Sequence, residues 1–235
     1  MRTSDDNSHH LFIGDQAIGA AIFDLDGTLL RFNFNWKDSR QKMINWLSEN
    51  GFDASGLSIR NRTAEMLDAA RQQLQSESIR CSYEEVRRSI FGILEYYEIE
   101  SSLNSFAFPE SHSLLRKLHS AGMPLAIVTN SGRLTVDRVL KTHGFLPFLS
   151  VVVTRNDVEN MKPYPEGILK AIAELKLPGK DVVYIGDSIE DVRAARSAEV
   201  ISVALAQGLY SRSELVQESP QYVFQDIAEL EKSIR

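Results

Sequence analysis

Two aspartates one residue apart, Asp24 and Asp26, close an apolar run and are followed at once by Gly27 and Thr28, in the stretch Ala20-Ala-Ile-Phe-Asp-Leu-Asp-Gly-Thr-Leu-Leu30. Carboxylates at the end of a buried segment are costly unless something compensates their charge. A hard cation such as Mg²⁺ does so, taking oxygen from one or two carboxylates and keeping its other positions for water and phosphate. Blander patterns fit the same residues less well. Asp26-Gly27 suits a hairpin turn, but Phe32, Phe34 and Trp36 run on into a helical pattern instead of a return strand. Asp24-x-Asp26 could open a calcium loop, yet that loop needs Gly at its sixth position and Glu at its twelfth, where this chain has Leu29 and Asn35.

Further residues able to do chemistry follow in Thr129-Asn130-Ser131-Gly132, Lys162-Pro163, Gly186-Asp187-Ser188 and Asp191. Taken singly, each has a structural explanation. The first suits a turn into a helix cap. Lys162 reads as a surface lysine with Pro163 marking a helix start. Ser188-x-x-Asp191 matches a capping box, and Gly186-Asp187 a strand-to-helix turn.

The elements that must hold these residues make them a set. Ala20 to Phe23, Leu125 to Val128, Val151 to Val153, Val182 to Ile185 and Val200 to Ala204 are short apolar runs that read as buried strands. Helical patterns over Ser111 to Ala121, Leu134 to His143, Pro165 to Leu175 and Ile189 to Ser197 separate them. A small strand at Leu11-Phe12-Ile13, a last one at Tyr222-Val223-Phe224 and a closing helix complete this part, after a mobile tail over residues 1–10. The alternation predicts an α/β fold with a parallel sheet covered on both faces. In such a sheet ligands bind outside the carboxyl ends of the strands. The four loops all deliver their groups at that edge, as a cation site facing a phosphate site.

Between Phe32 and Leu103 the pattern is helical throughout. Trp36 to Asn50, Ile59 to Gln75 and Tyr83 to Tyr97 read as three helices, the last opened by a Ser82/Glu85 capping box. The expected division is therefore a discontinuous α/β core, residues 1–31 and 105–235, with a helical domain, residues 32–104, inserted in it.

With these residues in order, the chain resembles the haloacid dehalogenase superfamily of phosphohydrolases. The resemblance is carried by Asp24-Leu-Asp26-Gly27-Thr28, Thr129-Asn130, Lys162 and Gly186-Asp187-Ser188-Ile-Glu-Asp191, and runs from about Ala20 to Gly208. Lys162-Pro163-Tyr164-Pro165-Glu166 is similar to its phosphoglycolate phosphatase-like branch. The resemblance implies a Rossmann-like three-layer α/β/α core with a helical cap. It implies Asp24 as nucleophile and Asp26 as general acid and then base. It implies Mg²⁺ held by Asp24, the Asp26 carbonyl and Asp187, with Asp191 acting through water or orienting Asp187. The Thr129 hydroxyl, the Asn130 amide and Lys162 would hold phosphoryl oxygens. Haloacid dehalogenases themselves lack the second aspartate and phosphonate hydrolases replace it with alanine, so Asp26 favours phosphate esters.

The expected function is an Mg²⁺-dependent phosphatase for a small phosphorylated metabolite, phosphoglycolate being the first choice. A sugar-phosphate mutase, a pyrophosphatase or a non-catalytic phosphate-binding regulator are the alternatives. Phe32, Phe34 and Trp36 are expected to pack the cap, and Arg60, Arg62, Arg80, Arg87 and Arg88 are candidates for a second anion site.

Composition sets bounds around this reading. The 235 residues are 43% hydrophobic and 25% charged, an ordinary globular balance. A net charge of −6 argues against nucleic acid as a partner. Cys81 is the only cysteine, so no intrachain disulfide can form. Neither a spanning apolar run nor a signal peptide is evident, since the first ten residues are polar. A cytoplasmic monomer or homodimer without membrane contact is expected.

Overall fold

Ala20–Phe23 carries no polar residue, so a strand formed there must be covered on both faces. In the computed structural model, which describes residues 11–75, 79, 81–177 and 181–235, it is so covered: all four residues are buried. The tail expected over residues 1–10 and Arg80 lie outside the described residues.

The chain divides into two units. The first comprises residues up to Arg31, Phe106–Asn130 and His143–Arg235. It opens with an antiparallel hairpin of β1 (Leu11–Ile13) and β2 (Gln16–Ile18). β3 (Ala20–Phe23) leads into the aspartate loop, and β4 (Leu30–Arg31) pairs antiparallel with β5 (Phe106–Ala107). From there helix and strand alternate: α4 (Ser111–Ser120), β6 (Leu125–Val128), β7 (Val151–Val153), α6 (Glu166–Leu175), β8 (Val182–Gly186), α7 (Ile189–Ser197), β9 (Ile201–Leu205), α8 (Arg212–Gln217), β10 (Tyr222–Phe224) and α9 (Ile227–Ser233). α5 (Arg133–Thr142) falls between β6 and β7 in sequence but belongs to the second unit.

The six core strands form one parallel sheet in the order β10-β9-β8-β3-β6-β7. Even-numbered positions, Ala20, Ile22, Ala126, Val128, Val182 and Tyr184, pack with Ile168 and Ala171 of α6 and Ala194 and Ala195 of α7. Odd-numbered positions, Ala21, Phe23, Leu125, Ile127, Val183 and Ile185, are buried as well. Both faces are therefore covered, as continuous apolar strands require.

The second unit comprises Phe32–Ser105 and Ser131–Thr142. Here α1 (Trp36–Glu49), α2 (Thr63–Gln73), α3 (Tyr83–Ser102) and α5 pack together, burying Met43, Leu47, Met66, Leu67, Val86 and Ile90. α2 starts later than its apolar pattern suggests. Arg62 is extended there, with φ −79° and ψ 159°, and its N–H donates to Glu65 Oε2 at 2.9 Å in a capping box, so the helix begins at Thr63. α3 runs past Tyr97 because Tyr97, Glu98 and Ser101 are still buried; the Glu98 carboxylate accepts from Gly132 N–H at 3.0 Å. Phe34 meets Tyr97 edge-on and Trp36 stacks under Arg40, so both side chains are packed within this unit. No helix of the described residues is long and apolar enough to cross a membrane.

Candidate active site

β3 ends at Phe23, and the next residue already departs from the sheet. Asp24 N–H still donates to the Ile185 carbonyl at 2.8 Å, which fixes its side chain at the carboxyl edge beside β8. The loop then tightens: Gly27 N–H donates to Leu30 O at 2.7 Å, and Gly27 adopts φ +88°. A side chain at Gly27 would collide with Asp187, because a Cβ there lies 2.2 Å from Asp187 Oδ2. The same loop supplies Thr28, whose hydroxyl donates to Asp187 Oδ1 at 3.1 Å. Asp26 is half-buried at the loop's crest.

Lys162 reaches the same place from the loop after β7. Its ammonium, buried, donates to Asp24 Oδ1 at 2.6 Å, to Asp191 Oδ1 at 2.6 Å and to the Tyr184 hydroxyl at 2.9 Å. Its backbone is clasped by Asn130. Lys162 N–H donates to Asn130 Oδ1 and Asn130 Nδ2 donates to the Lys162 carbonyl, both at 3.0 Å. The side-chain amide of Asn130 thus holds the lysine loop. Thr129 is buried at the end of β6, its N–H donating to Val153 O at 3.0 Å.

Asp191 meets the capping-box expectation and also faces the lysine. Its Oδ2 accepts from Ser188 N–H at 3.0 Å and Ser188 Oγ at 2.5 Å, completing a capping box on α7. Its Oδ1 faces Lys162 and Tyr184.

Asp24, Asp187 and Asp191 are all buried and can bring ligand oxygens within 4.8 Å of one another. Burial pushes the Asp24 carboxyl up, the Lys162 charge pulls it back, and it stands at about 6. Burial and then the charges of Asp24, Asp191 and Asp26 push Asp187 well above the usual carboxylate range. Burial works against Asp191 too, but Lys162 and the hydrogen bonds from Ser188 and Tyr184 overcome it and hold that carboxyl low. Burial alone would lower Lys162; Asp191 and Asp24 outweigh it and keep the lysine charged. Three carboxylates share one ammonium, which leaves two formal negative charges over when all are ionised. A divalent cation fits this donor set: hard oxygen ligands, buried, and short of positive charge.

Residues outside the motifs also shape the site. Gln207, just after β9, donates from Nε2 to the carbonyls of Gly27 and Thr28 at 3.1 and 2.9 Å, and its Oε1 accepts from Ile227 N–H at 2.9 Å. A Cβ on Gly208 would lie 1.7 Å from Asp187 Oδ2. Tyr184 sits in the middle of an otherwise aliphatic strand. Reading the end of β9 by the rule applied to the other strands finds Gln207-Gly208, and the lone hydroxyl in Val-Val-Tyr-Ile-Gly points to Tyr184.

The model of the haloacid dehalogenase-like hydrolases matches residues 18–199, the span that carries this whole arrangement up to Asp191. The chain belongs to that family. Among curated relatives, a phosphoglycolate phosphatase of Salmonella typhi is 33% identical over 135 residues, 57% of this chain and 52% of the relative. The chain thus spans about half the length of that curated relative. A crystal structure of a predicted phosphoglycolate phosphatase from Haemophilus somnus is 25% identical, with a TM-score of 0.63 over 92% of this chain and 97% of the other. A hydrolase from Pseudomonas syringae is 26% identical, with a TM-score of 0.62 over 90% of this chain and 95% of the other. This member of the haloacid dehalogenase-like hydrolases therefore has the family's α/β core and a buried acidic triad at its sheet edge.

Proposed function

We propose that this protein is an Mg²⁺-dependent phosphatase that hydrolyses the phosphate monoester of a small metabolite through a phosphorylated Asp24. The observation that carries the reading is the buried Asp24–Lys162–Asp191 pair of ion pairs with Asp187 beside it, held at the one edge where this fold binds ligands. Phosphoglycolate is the first substrate to test, because relatives of this chain carry that name.

Asp24 contributes the attacking oxygen: it forms an O–P bond as the bond from phosphorus to the ester oxygen breaks. Asp26 gives its proton to the departing alcohol oxygen. In the second half it takes a proton from water, whose oxygen attacks phosphorus and releases inorganic phosphate and free Asp24. Lys162, the Thr129 hydroxyl and the Asn130 backbone amide hold the phosphoryl oxygens as their charge shifts. Asp24, Asp187 and the Asp26 carbonyl would hold Mg²⁺, with Asp191 orienting the set. When bound, the cation offsets repulsion between carboxylate and phosphate. The helical block over residues 32–104 is proposed as the cap that selects the substrate.

Phosphate release with Mg²⁺ across a panel of phosphorylated metabolites tests the proposal, beside Asp24→Asn. One substrate is expected to stand out, and the variant to lose about a thousandfold or more of the rate. A variant as active as the parent overturns the assignment of Asp24. Interconversion of sugar phosphates without net phosphate release would point to a mutase instead, and release only from pyrophosphate to a pyrophosphatase. Saturable phosphate binding with no turnover would make it a regulator.

A further inference from the structure

An ammonium has three protons, and an account of Lys162 is complete only when all three are placed. Two go to Asp24 and Asp191; the third goes to the hydroxyl of Tyr184 at 2.9 Å. That hydroxyl is itself within reach of Asp191 Oδ1 at 2.8 Å and of the Val128 carbonyl at 3.1 Å. Tyr184 is 1% exposed and lies in the central strand of the sheet, paired in register with Ile22 of β3. A phenylalanine would fill the same apolar space among Ala20, Val128, Ile168 and Ala194. What distinguishes tyrosine here is one oxygen, and that oxygen joins the lysine, the acid that opens α7 and the residue before Thr129.

We propose that Tyr184 is a positioning residue: its hydroxyl holds the Lys162 ammonium midway between the nucleophile and Asp191, and keeps the phosphate loop after β6 in register with it. The proposal rests on the phosphate-binding role proposed for Lys162. Without the hydroxyl, the third proton has no acceptor in a buried site, and Asp191 Oδ1 loses the hydroxyl that lies 2.8 Å from it. Lys162 is then held by Asp191 more than by Asp24 and shifts away from the place where phosphoryl charge develops. Misplacement on this scale is felt in the chemical step more than in substrate binding.

The test uses the full chain with Mg²⁺ and p-nitrophenyl phosphate, comparing the parent, Tyr184→Phe, Lys162→Met and the double variant. Tyr184→Phe is expected to fold, with a circular dichroism spectrum like the parent's. Its kcat should fall about tenfold or more while KM changes less than about threefold. In the Lys162→Met background the same substitution should cost nothing further, because the residue acts through the lysine. An unchanged kcat, or an equal loss in both backgrounds, overturns the proposal. A second readout does not need turnover. In protein labelled with ¹⁵N at lysine Nζ, the protected ammonium signal that disappears in Lys162→Met should shift and exchange faster with solvent in Tyr184→Phe. If that signal is unmoved, Tyr184 does not hold Lys162. A parent inactive on every phosphate ester overturns the phosphatase reading separately, and the ammonium signal then decides the role of Tyr184 alone.

Discussion

At Lys162 one ammonium answers two carboxylates at 2.6 Å each, and a third buried acid, Asp187, stands near without a cation of its own among the described residues. Removing the lysine leaves buried acids uncompensated. Lys162→Met should lower the unfolding free energy by about 3 kcal/mol at pH 8, read by urea denaturation, and by less at pH 5, where the acids protonate. An equal loss at both pH values would deny the lysine its role as counter-charge. Asp187→Asn should act in the opposite direction. It removes one of the mutually repelling charges, so the metal-free variant should melt above the parent at pH 8, yet Mg²⁺ should no longer raise its Tm. Asp24 contributes to the pH dependence of the parent, with the raised Asp187 acting in the same direction. The folded pKa of Asp24, about 6, lies above the ordinary 3.8, so between these values the folded protein binds more protons than the unfolded chain. Its contribution to stability is therefore full below about pH 4 and declines as pH rises through 6. A cation competes with those protons, so the gain in Tm on adding Mg²⁺ should be larger at pH 8 than at pH 5.5. Equal gains at both pH values would place the bound cation away from Asp24.

At the scale of elements, the site depends on loops that come close only because they lack side chains. Gly27 and Gly208 lie in two different loops and Gly186 ends β8, and a Cβ on any of them would come within 2.3 Å of Asp187 or Asp191 atoms. Gly208→Ala should keep the sheet and the far-ultraviolet spectrum but displace Asp187, so Mg²⁺-induced stabilisation and activity should fall together. Gly56→Ala, which meets nothing within 4 Å, is the control. Retention of the Mg²⁺ response in Gly208→Ala would show that the loop after β9 yields easily. The sequence made much of this legible, because strands and motifs coincide: apolar runs stop at Asp24, Thr129 and Asp187, and each stop is chemical. It was less informative where a pattern has no period. β2, β4, β5 and α8 are too short for hydrophobic spacing to declare them. The role of the Asn130 side chain was hidden for another reason. Nothing local to residue 130 tells that its amide will meet the backbone of residue 162.

At the scale of the whole molecule, local pattern says least, because what matters are pairings between distant segments. The strand order places β3 between β6 and β8, so the first aspartate loop is flanked by the loops that carry Thr129-Asn130 and Asp187. Only the rule that alternating helices and strands make parallel sheets anticipates this. The same unit is closed by its C-terminal segment. Phe12 and Arg235 exchange backbone hydrogen bonds at 2.9 and 3.1 Å, and Ile13 bridges Ile234. Lys117 of α4 donates to the carbonyls of Glu231 and Ile234, both at 2.9 Å. Ile227, Leu230 and Ile234 are each 3% exposed or less. The segment also reaches the site, since Ile227 N–H anchors Gln207, which holds the Gly27 and Thr28 carbonyls. Ending the chain after Asp226 therefore removes two things of different size. Loss of three buried aliphatic side chains should cost about 5 kcal/mol or more, read as a lower urea midpoint. Loss of the Gln207 anchor should loosen the aspartate loop. In the fraction that remains folded, the rate per folded molecule should drop below the parent's, whereas Gln207→Ala alone should lower that rate with little change in midpoint. If the truncated chain keeps the parent's rate per folded molecule, α9 supports the fold without steadying the aspartate loop.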